Sequence, residues 1–335
     1  MPVNEGAELV EVLRGGAVES VHRGHVAVWG PGGMIAGWGD PEAVIFPRSS
    51  CKMIQALPLI ESGAADAARL TPEHLALACA SHQGARIHTD RVTDWLDDLG
   101  LTDSDFRCGP QTPADKPARN ALIRAHAAPC QVHNNCSGKH AGFLTLNRQL
   151  GGDADYVEID HPVQRAVRAA TEEVCEAESP YYGIDGCSAP NFAMRLDALA
   201  MAMAGFASAE GRSGARAAAQ VRLVQAMMAH PELVAGVTRA CTELMRAMPG
   251  RAAIKTGAEG VFFGILPERQ VGFALKITDG TTRAAESVAA ALLVALGVLE
   301  AEHPLAKKRL DPVLKNWRGI EVGAIRPVEA LRASL

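Results

Sequence analysis

The sequence predicts an α+β fold in which an antiparallel sheet, built from both ends of the chain, is flanked by helices. Three observations predict it. Alternating apolar and polar residues with turn signals fill residues 7–46 and 258–330, and residues 50–250 have mostly the periodicity of helices. No linker, repeat or low-complexity segment separates these parts. We therefore predict a single domain over residues 1–335, with a helical subdomain inserted into the sheet part.

The first half of the chain begins with strands and continues with helices. "VESVHRGHVAVWG" alternates, and "GMIAGWGD" follows it after a Pro-Gly-Gly turn, which predicts a hairpin. Residues 50–64 have a helical pattern that Pro58 kinks or shortens. "TPEHLALACASH" opens with a helix-start signature, and "RIHTDRVTDWLDDLGL" is an amphipathic helix that stops at a glycine. Residues 107–140 contain prolines, asparagines and three cysteines, and we expect them to be irregular.

The second half returns from helices to strands. "DHPVQRAVRAATEEVCE" is a helix, and "YYGIDGCSAPNFAM" is a strand and turn that enter another helix. Residues 193–248 are rich in alanine and methionine and predict helix. "VFFGILPERQVGFALKITDG" predicts two strands joined by a turn, and "TRAAESVAAALLVALGVLEA" a long buried helix. "LKNWRGIEVGAIRPVEAL" adds a last strand and a short cap.

Composition excludes several classes of protein. The formal net charge of −5 argues against a nucleic-acid partner or an anionic membrane surface, which usually select a basic excess. No apolar run is long enough to cross a bilayer, and the N-terminus does not read as a signal peptide. We therefore expect a cytoplasmic protein whose eight cysteines are mostly thiols. No C-x-x-C pair is present, which argues against a zinc ribbon or a thioredoxin-type site.

The stretch "FPRSSCKMIQALPLI" places a serine three residues before a lysine, where a turn gives way to an apolar helix. Because positions i and i+3 are neighbours on a helix face, Ser49 and Lys52 can come within hydrogen-bonding reach. The helix dipole and desolvation both favour a neutral Lys52 amine, which can take the serine proton. S-x-x-K also arises by chance, with a capping serine and a surface lysine. Ser50 is an alternative cap, so the assignment between the two serines stays open.

A second fragment strengthens this reading. Lys255-Thr256-Gly257 stands at the entry to a strand pattern, and a K-T-G strand beside a nucleophilic serine helix is the arrangement of penicillin-binding proteins and β-lactamases. Alone, K-T-G more commonly marks a turn with a solvated lysine. The middle S-D-N element of those enzymes is absent. Ser81, in "ACASHQGA", is a candidate replacement and otherwise a helix-terminal turn residue.

Two cysteines lie on glycine-rich turns among polar residues. Cys136 is in "QVHNNCSGKHAGF", and Cys187 is in "GIDGCSAPNF". Zinc accepts two such thiolates, with His133, His140 or water completing a tetrahedron. Spacing alone equally permits a cysteine nucleophile with a histidine base.

Six fragments in this order, "PRSSCK", "ASHQGA", "HNNCSGKHAGF", "IDGCSAPNFAM", "KTGAEGVF" and "KITDGTTRA", closely resemble the rhizobial-type (class 3) L-asparaginases, the asparaginase II-like family. The likeness covers nearly the full chain. It implies hydrolysis of L-asparagine to L-aspartate and ammonia by one asparaginase II-like catalytic domain. It also implies a fold similar to serine β-lactamases and glutaminases, and a homodimer.

The resemblance further implies two Ser-Lys pairs, which map onto Ser49 with Lys52 and Ser81 with Lys255. It implies a zinc ion held by two cysteines and a lysine. These ligands map onto Cys136, Lys139 and Cys187. A lysine ligand has to be neutral, and a nearby divalent cation favours that form.

A reaction sequence follows as an expectation. Ser49 attacks the side-chain amide of asparagine, and Lys52 removes the serine proton. Lys255 keeps Lys52 neutral by like-charge repulsion and hydrogen-bonds Ser81, which relays the proton to the leaving group. We expect the backbone amide of Ser49 to act as an oxyanion donor. For the substrate's ends we expect Arg48 to bind the α-carboxylate and Asp185 the α-ammonium, with Asn134 or His133 adding hydrogen bonds. Arg48 is otherwise a surface ion pair, and Asp185 a turn former.

Three other functions compete with this one. A β-lactamase or D,D-peptidase shares S-x-x-K and K-T-G but acts outside the cytoplasm. A glutaminase differs by one methylene in its substrate, a difference worth only about 1–3 kcal/mol of discrimination. A zinc-bound scaffold without turnover is the third, and the complete set of serines and lysines argues against it.

Overall fold

The computed structural model describes residues 5–332 and contains one large sheet, two small two-stranded sheets and many short helices. The strands are β1 Ala7–Arg14, β2 Ala17–Gly30, β3 Gly33–Trp38, β4 Val44–Ile45, β5 Tyr182–Ile184, β6 Pro190–Phe192, β7 Met194–Arg195, β8 Ala253–Thr256, β9 Val261–Leu266, β10 Val271–Ile277, β11 Val313–Lys315 and β12 Glu321–Pro327.

The α-helices are α1 Lys52–Gln55, α2 Leu57–Glu61, α3 Ala64–Ala67, α4 Pro72–Ala78, α5 Arg86–Asp98, α6 Lys116–Arg124, α7 Ser137–Leu150, α8 Pro162–Val174, α9 Leu196–Ala207, α10 Ala215–Ala229, α11 Pro231–Ala235, α12 Ala240–Ala247, α13 Thr282–Ala295 and α14 Pro304–Leu310. Short 3-10 helices include Arg48–Cys51 and Gln131–His133.

The chain divides into two compact units. We call one the sheet unit; it comprises the residues up to Ser50, Met194–Ser208, and the residues from Glu243 onward. We call the other the helical unit; it comprises Cys51–Ala193 and Ala209–Thr242.

In the sheet unit, strands from the two chain ends lie side by side, as the sequence predicts. The order is β11-β12-β1-β2-β10-β9-β8, β3 also pairs with β2, and the pairs are antiparallel. Strand β1 pairs with β12, and β2 pairs with β10. Helix α9 packs on β10 and β2, and α13 packs on β9, β1, β10 and β12. Strand β9 is buried along its whole length, as expected of a strand covered on both faces.

The helical unit is arranged around α7. This helix is buried from Ser137 to Leu146 and packs against α4, α3, α5, α8 and α2. A Cβ atom at Gly138 would lie 2.4 Å from the Leu77 carbonyl oxygen of α4. Only glycine therefore permits the start of α7 to approach α4 this closely.

Most of the predicted elements are confirmed, and the helices differ in three segments. The β2–β3 hairpin, the break near Pro58 and the last strand, β12, form as expected, whereas β11, which pairs with β12, is a strand that was not predicted. Residues 107–140 are not wholly irregular, because α6 begins at Lys116, where Asp115 accepts a hydrogen bond from the Ala118 amide at 2.8 Å. This N-cap followed by proline was a helix signal in the sequence.

The other two differences concern helices. Residues 193–248 contain β7 and four separate helices, and the first of them, α9, packs on the sheet rather than within the helical unit. Helix α14 was not predicted. Among the described residues, no helix combines the length and apolarity that crossing a membrane requires.

The contact between β10 and α9 generates a prediction about stability. A Cβ at Gly272 would lie 2.1 Å from the Ala204 amide nitrogen and 2.4 Å from the Met203 carbonyl carbon of α9. Because both atoms are backbone, Gly272→Ala has to displace the helix. Overpacking typically costs roughly 1–3 kcal/mol of stability. We expect Gly272→Ala to lower the free energy of unfolding by an amount near the upper end of this range, as measured by urea denaturation.

Gly32→Ala is the matched control, since its Cβ would meet no atom within 4 Å. It should leave the urea midpoint nearly unchanged. Equal stability of the two variants would contradict the close packing of α9 on the sheet.

Candidate active site

Lys52 begins α1 and is buried, with 1% of its surface exposed. Its amine contacts three groups of the helical unit: the Ala80 carbonyl oxygen, the Ser81 hydroxyl at 3.1 Å and the Cys136 sulfur at 3.1 Å. A buried amine is stable only when its hydrogen-bonding capacity is used. The structure therefore places the buried Lys52 amine beside the hydroxyl of Ser81. The predicted pairing of Lys52 with Ser49 stays a prediction.

Ser81 is held by the turn that follows α4. Its backbone amide donates to the Val234 carbonyl at 2.9 Å, and the next amide, that of His82, donates to the Asn135 carbonyl at 3.0 Å. Ser81 is 6% exposed. Backbone hydrogen bonds at two successive residues therefore hold the turn, independently of its side chains.

The loop before α7 is held by Asn134. The Asn134 side-chain nitrogen donates to the carbonyls of Cys108 and Gly109, each at 2.9 Å, and its oxygen accepts from the Cys136 amide at 2.9 Å. His133, which is half-buried, accepts from the Cys130 amide through Nδ1 at 3.1 Å. We predicted both residues as substrate contacts; the structure places both side chains in hydrogen bonds to the loops of the helical unit.

A cluster of sulfur and amine groups lies at the start of α7. The Lys139 amine donates to the Cys187 sulfur at 3.1 Å, and Cys187 and Cys136 are hydrogen-bonded to each other. All three residues are buried: the exposed fraction is 4% for Cys136, 4% for Lys139 and 3% for Cys187. We call these three residues the thiol–amine cluster.

Charge is unevenly distributed within the thiol–amine cluster. The hydrogen bond from Cys136, aided by the lysine charges, lowers the pKa of Cys187 well below that of an ordinary thiol. The same bond, together with burial, raises the pKa of Cys136. Burial acts to lower the pKa of Lys139, but the sulfur charges of Cys187 and Cys136 outweigh it and raise the pKa. Cys187 and Lys139 therefore form a thiolate–ammonium pair.

The donor chemistry of this cluster fits a soft divalent metal ion. The Lys139 nitrogen and the Cys136 sulfur are each hydrogen-bonded to the Cys187 sulfur, and sulfur and nitrogen are zinc's preferred donors. Because the pKa values of Lys139 and Cys136 are raised, both groups would have to release a proton on binding the ion. Within residues 5–332, no group of three or more histidine, cysteine, aspartate or glutamate side chains is arranged to hold a metal. The thiol–amine cluster contains two such residues and a lysine.

Of the two histidines considered as further ligands, His140 has one ring nitrogen engaged. Its Nδ1 is hydrogen-bonded to the Tyr156 hydroxyl, which also accepts from the Arg107 amide, each at 2.9 Å. Its Nε2 is buried without a hydrogen-bond partner among the described residues. Burial lowers the pKa of His140 well below its ordinary value, so the ring is neutral.

Asp185 lies on the turn between β5 and β6. Its carboxylate accepts from the Gly186 amide at 2.8 Å and from the Asn191 side chain at 3.3 Å, and its charge helps to raise the pKa of Lys139. The turn includes Ser188 at a φ of +68°, a conformation that costs a non-glycine residue energy. The turn-forming role expected of Asp185 is thus present, beside the thiol–amine cluster.

In the sheet unit, the turn that carries Ser49 is strained and tightly held. Arg48 has a φ of +52°, and its guanidinium is 4.0 Å from the Glu259 carboxylate. Ser50 is fully buried, and its hydroxyl donates to the Pro47 carbonyl at 2.5 Å. The hydroxyl of Ser50 therefore stabilises the turn, which leaves Ser49, half-buried beside it, as the candidate nucleophile of the two.

Lys255 and Thr256 end β8, the edge strand, and Gly257 follows it, before β9 begins at Val261. Lys255 is fully buried, and its amine donates to the Thr256 carbonyl at 2.7 Å. A Cβ at Gly257 would lie 3.0 Å from the Pro47 carbonyl oxygen and 3.1 Å from the Ser50 amide nitrogen. Glycine thus lets β8 approach the Arg48–Cys51 turn.

Sequence reasoning missed two features of the site. The Ala80 carbonyl contacts Lys52, but no residue pattern reports where a backbone oxygen points. Cys51, which precedes Lys52, is buried, and burial raises its pKa to about 12, so it is a packed thiol rather than a reactive thiolate.

Comparisons with known proteins agree with the resemblance seen in the motifs. The family model described as L-asparaginase II matches residues 10–327. None of the curated proteins matches the chain.

Solved structures show more distant similarity. They include a β-lactamase from Mycobacterium bovis (14% identity, 78% of this chain and 89% of that one, TM-score 0.44) and a putative β-lactamase from Bacteroides dorei (11%, 76% and 84%, TM-score 0.43). A third is Mglu in its native form (12%, 78% and 61%, TM-score 0.45). Similarity at this level carries no functional inference.

The hydrogen bonds of Asn134 generate a prediction. Asn134→Ala leaves the buried Cys108 carbonyl, the part-buried Gly109 carbonyl and the buried Cys136 amide without this partner, and each unsatisfied buried group costs roughly 1–3 kcal/mol. We expect the free energy of unfolding to fall by about 2 kcal/mol or more, as measured by urea denaturation.

Asn120→Ala, at an exposed position of α6, is the control and should change stability little. If Asn134→Ala is as stable as this control, the loop before α7 is held by something other than Asn134.

Proposed function

The chain belongs to the L-asparaginase II family, a family of amidohydrolases, and we propose that it hydrolyses the side-chain amide of L-asparagine to L-aspartate and ammonia. One observation carries the proposal: within this family's sequence, a fully buried lysine amine lies 3.1 Å from a serine hydroxyl. A lysine paired with a serine is the activating arrangement of Ser-Lys acyl-transfer enzymes.

In the first step, the hydroxyl oxygen of Ser49 forms a bond to the amide carbon. The serine proton passes to the Lys52 amine, which acts as the base, and the carbonyl oxygen becomes an oxyanion. The C–N bond then breaks, and the proton returns to the leaving nitrogen, so that ammonia departs and an aspartyl ester remains. Water hydrolyses the ester in a second step that restores the serine.

Ser81 is the proton carrier in this scheme. Its hydroxyl is hydrogen-bonded to Lys52, which allows it to pass a proton between that amine and the leaving nitrogen. The same bond supports an alternative in which Ser81 is itself the nucleophile and Lys52 its base. Lys255 adds a second buried amine on β8, next to the turn of Ser49 in the sheet unit.

Arg48 and Asp185 are the proposed anchors for the ends of the substrate. Arg48 offers a half-buried guanidinium fork, which suits a substrate carboxylate, 4.0 Å from the Glu259 carboxylate. Asp185 offers a half-buried carboxylate to the α-ammonium. Asn134 and His133 shape the loop through the hydrogen bonds described above.

We propose that Cys136, Lys139 and Cys187 hold a zinc ion. Zinc bound there supplies a fixed positive charge at the start of α7. The residues themselves do the positioning: they join the loop before α7 to the β5–β6 turn that carries Asp185.

Glutamine differs from asparagine by one methylene, so we expect it as a minor substrate.

Serine substitutions test the nucleophile. We expect Ser49→Ala to lower kcat by roughly 1,000-fold or more, because the attacking oxygen is lost. Ammonia release from L-asparagine is the assay, and mass spectrometry of quenched enzyme should locate the aspartyl ester on the Ser49 peptide. Ser287→Ala is the control, a buried serine that donates to the Leu310 carbonyl at 2.9 Å; it should keep kcat within about threefold.

Three other outcomes are informative. Full activity of Ser49→Ala, with the ester on the Ser81 peptide, would make Ser81 the nucleophile. Hydrolysis of nitrocefin but not of asparagine would instead indicate a β-lactamase. Absence of ammonia release by the wild-type protein would refute the proposed function.

Metal removal tests the zinc proposal. Elemental analysis should find about one zinc per chain, and Cys187→Ser should lose it, whereas Cys175→Ser, a buried thiol of α8's C-terminal end, should retain it. If the cluster positions the loops, removal of zinc should raise KM with little change in kcat. A collapse of kcat at constant KM would overturn the positioning role.

A further inference from the structure

His82, the residue after Ser81, is fully enclosed in the helical unit, with 2% of its surface exposed. Both ring nitrogens are used. Nδ1 lies 3.1 Å from the Gly84 amide, and Nε2 lies 2.9 Å from the Ser137 hydroxyl.

These partners fix the tautomer. The Gly84 amide can only donate, so Nδ1 is the acceptor and the proton is on Nε2. Nε2–H therefore donates to the Ser137 oxygen, and the Ser137 hydroxyl is free to donate to the Val132 carbonyl at 2.9 Å. The result is one directed chain of hydrogen bonds from Gly84 through His82 and Ser137 to Val132, with every member satisfied.

This chain joins the two segments that contact the Lys52 amine. One is the turn that carries Ser81, and the other is the start of α7, where Cys136 precedes Ser137. A backbone hydrogen bond from His82 to the Asn135 carbonyl at 3.0 Å runs between the same two segments. Below the ring, His88 stacks at 4.8 Å between centroids and 10° between planes, and its Nε2 donates to the Glu232 carbonyl at 2.9 Å.

We propose that His82 is a positioning residue for catalysis: it sets the separation of Ser81 and Cys136 around the Lys52 amine. It does so as a neutral donor through Nε2, and it contacts neither the substrate nor the reacting atoms. The inference rests on the proposed function, because kcat reports it only if the protein hydrolyses asparagine.

Two substitutions separate the contributions of the two ring nitrogens of His82. His82→Gln places an amide nitrogen near the position of Nε2 and can still donate to Ser137. His82→Asn places a carbonyl near Nδ1 and can still accept from Gly84, but it does not reach Ser137. We expect kcat for ammonia release to fall tenfold or more in His82→Asn with KM changed less than threefold, and His82→Gln to recover most of the loss.

Ser137→Ala breaks the chain at its other end. If His82 and Ser137 act as one link, the double variant His82→Asn/Ser137→Ala should be no slower than the slower single variant, rather than showing the product of the two effects. His88→Asn is the matched control. It removes a buried histidine and its carbonyl hydrogen bond from the same stack, so it should lower the urea midpoint while keeping kcat within about threefold.

The outcomes separate the two proposals. If the wild-type protein releases ammonia and His82→Asn keeps wild-type kcat, the positioning role is wrong and the function stands. Multiplicative effects in the double variant would also overturn it. If the wild-type protein releases no ammonia, the proposed function is wrong. The urea midpoints of His82→Asn, Ser137→Ala and the double variant then decide whether the His82–Ser137 link exists, and additive shifts would refute it.

Discussion

The buried Lys52 amine is the constraint around which the helical unit is organised. An amine removed from water needs hydrogen-bond partners on several sides, and here they are the Ala80 carbonyl, the Ser81 hydroxyl and the Cys136 thiol. These groups come from the end of α4 and the start of α7. Both helices therefore have to approach closely. Gly138, the second residue of α7 and two residues after Cys136, permits this approach because any side chain there would clash with the Leu77 carbonyl of α4.

The sheet unit shows the same concentration of unfavourable features in its motifs. Arg48 adopts a left-handed backbone conformation, Lys255 is buried without exposure to water, and Gly257 lies against the turn of Ser50. Strain and buried charge are costly, and a fold keeps them where the surrounding structure enforces them. Their occurrence in the segments "PRSSCK" and "KTG" supports a functional rather than a purely architectural reason for these sequences.

Periodicity was sufficient to predict the sheet from both chain ends and most helices, because those patterns are local. It could not assign α9 to the sheet, since its apolar face looks the same whichever partner it packs on. The site was predictable as a set of residues but not as a set of contacts. The resemblance pairs Ser81 with Lys255, whereas the structure gives Ser81 a hydrogen bond with Lys52, a contact between residues 29 positions apart that only the packing of α4 determines. The homodimer and the cytoplasmic location stay predictions.

Cys136 belongs to two networks at once, and this affects how the site can be dissected. It is a partner of Lys52 and also of Cys187. A substitution at Cys136 would therefore disturb the proposed proton acceptor and the proposed metal site together, and a loss of activity could not be assigned to either. Cys187 bonds Lys139 and Cys136 but has no hydrogen bond to Lys52 among those the structure describes. It is therefore the position at which the thiol–amine cluster can be altered while the direct partners of the Lys52 amine are retained.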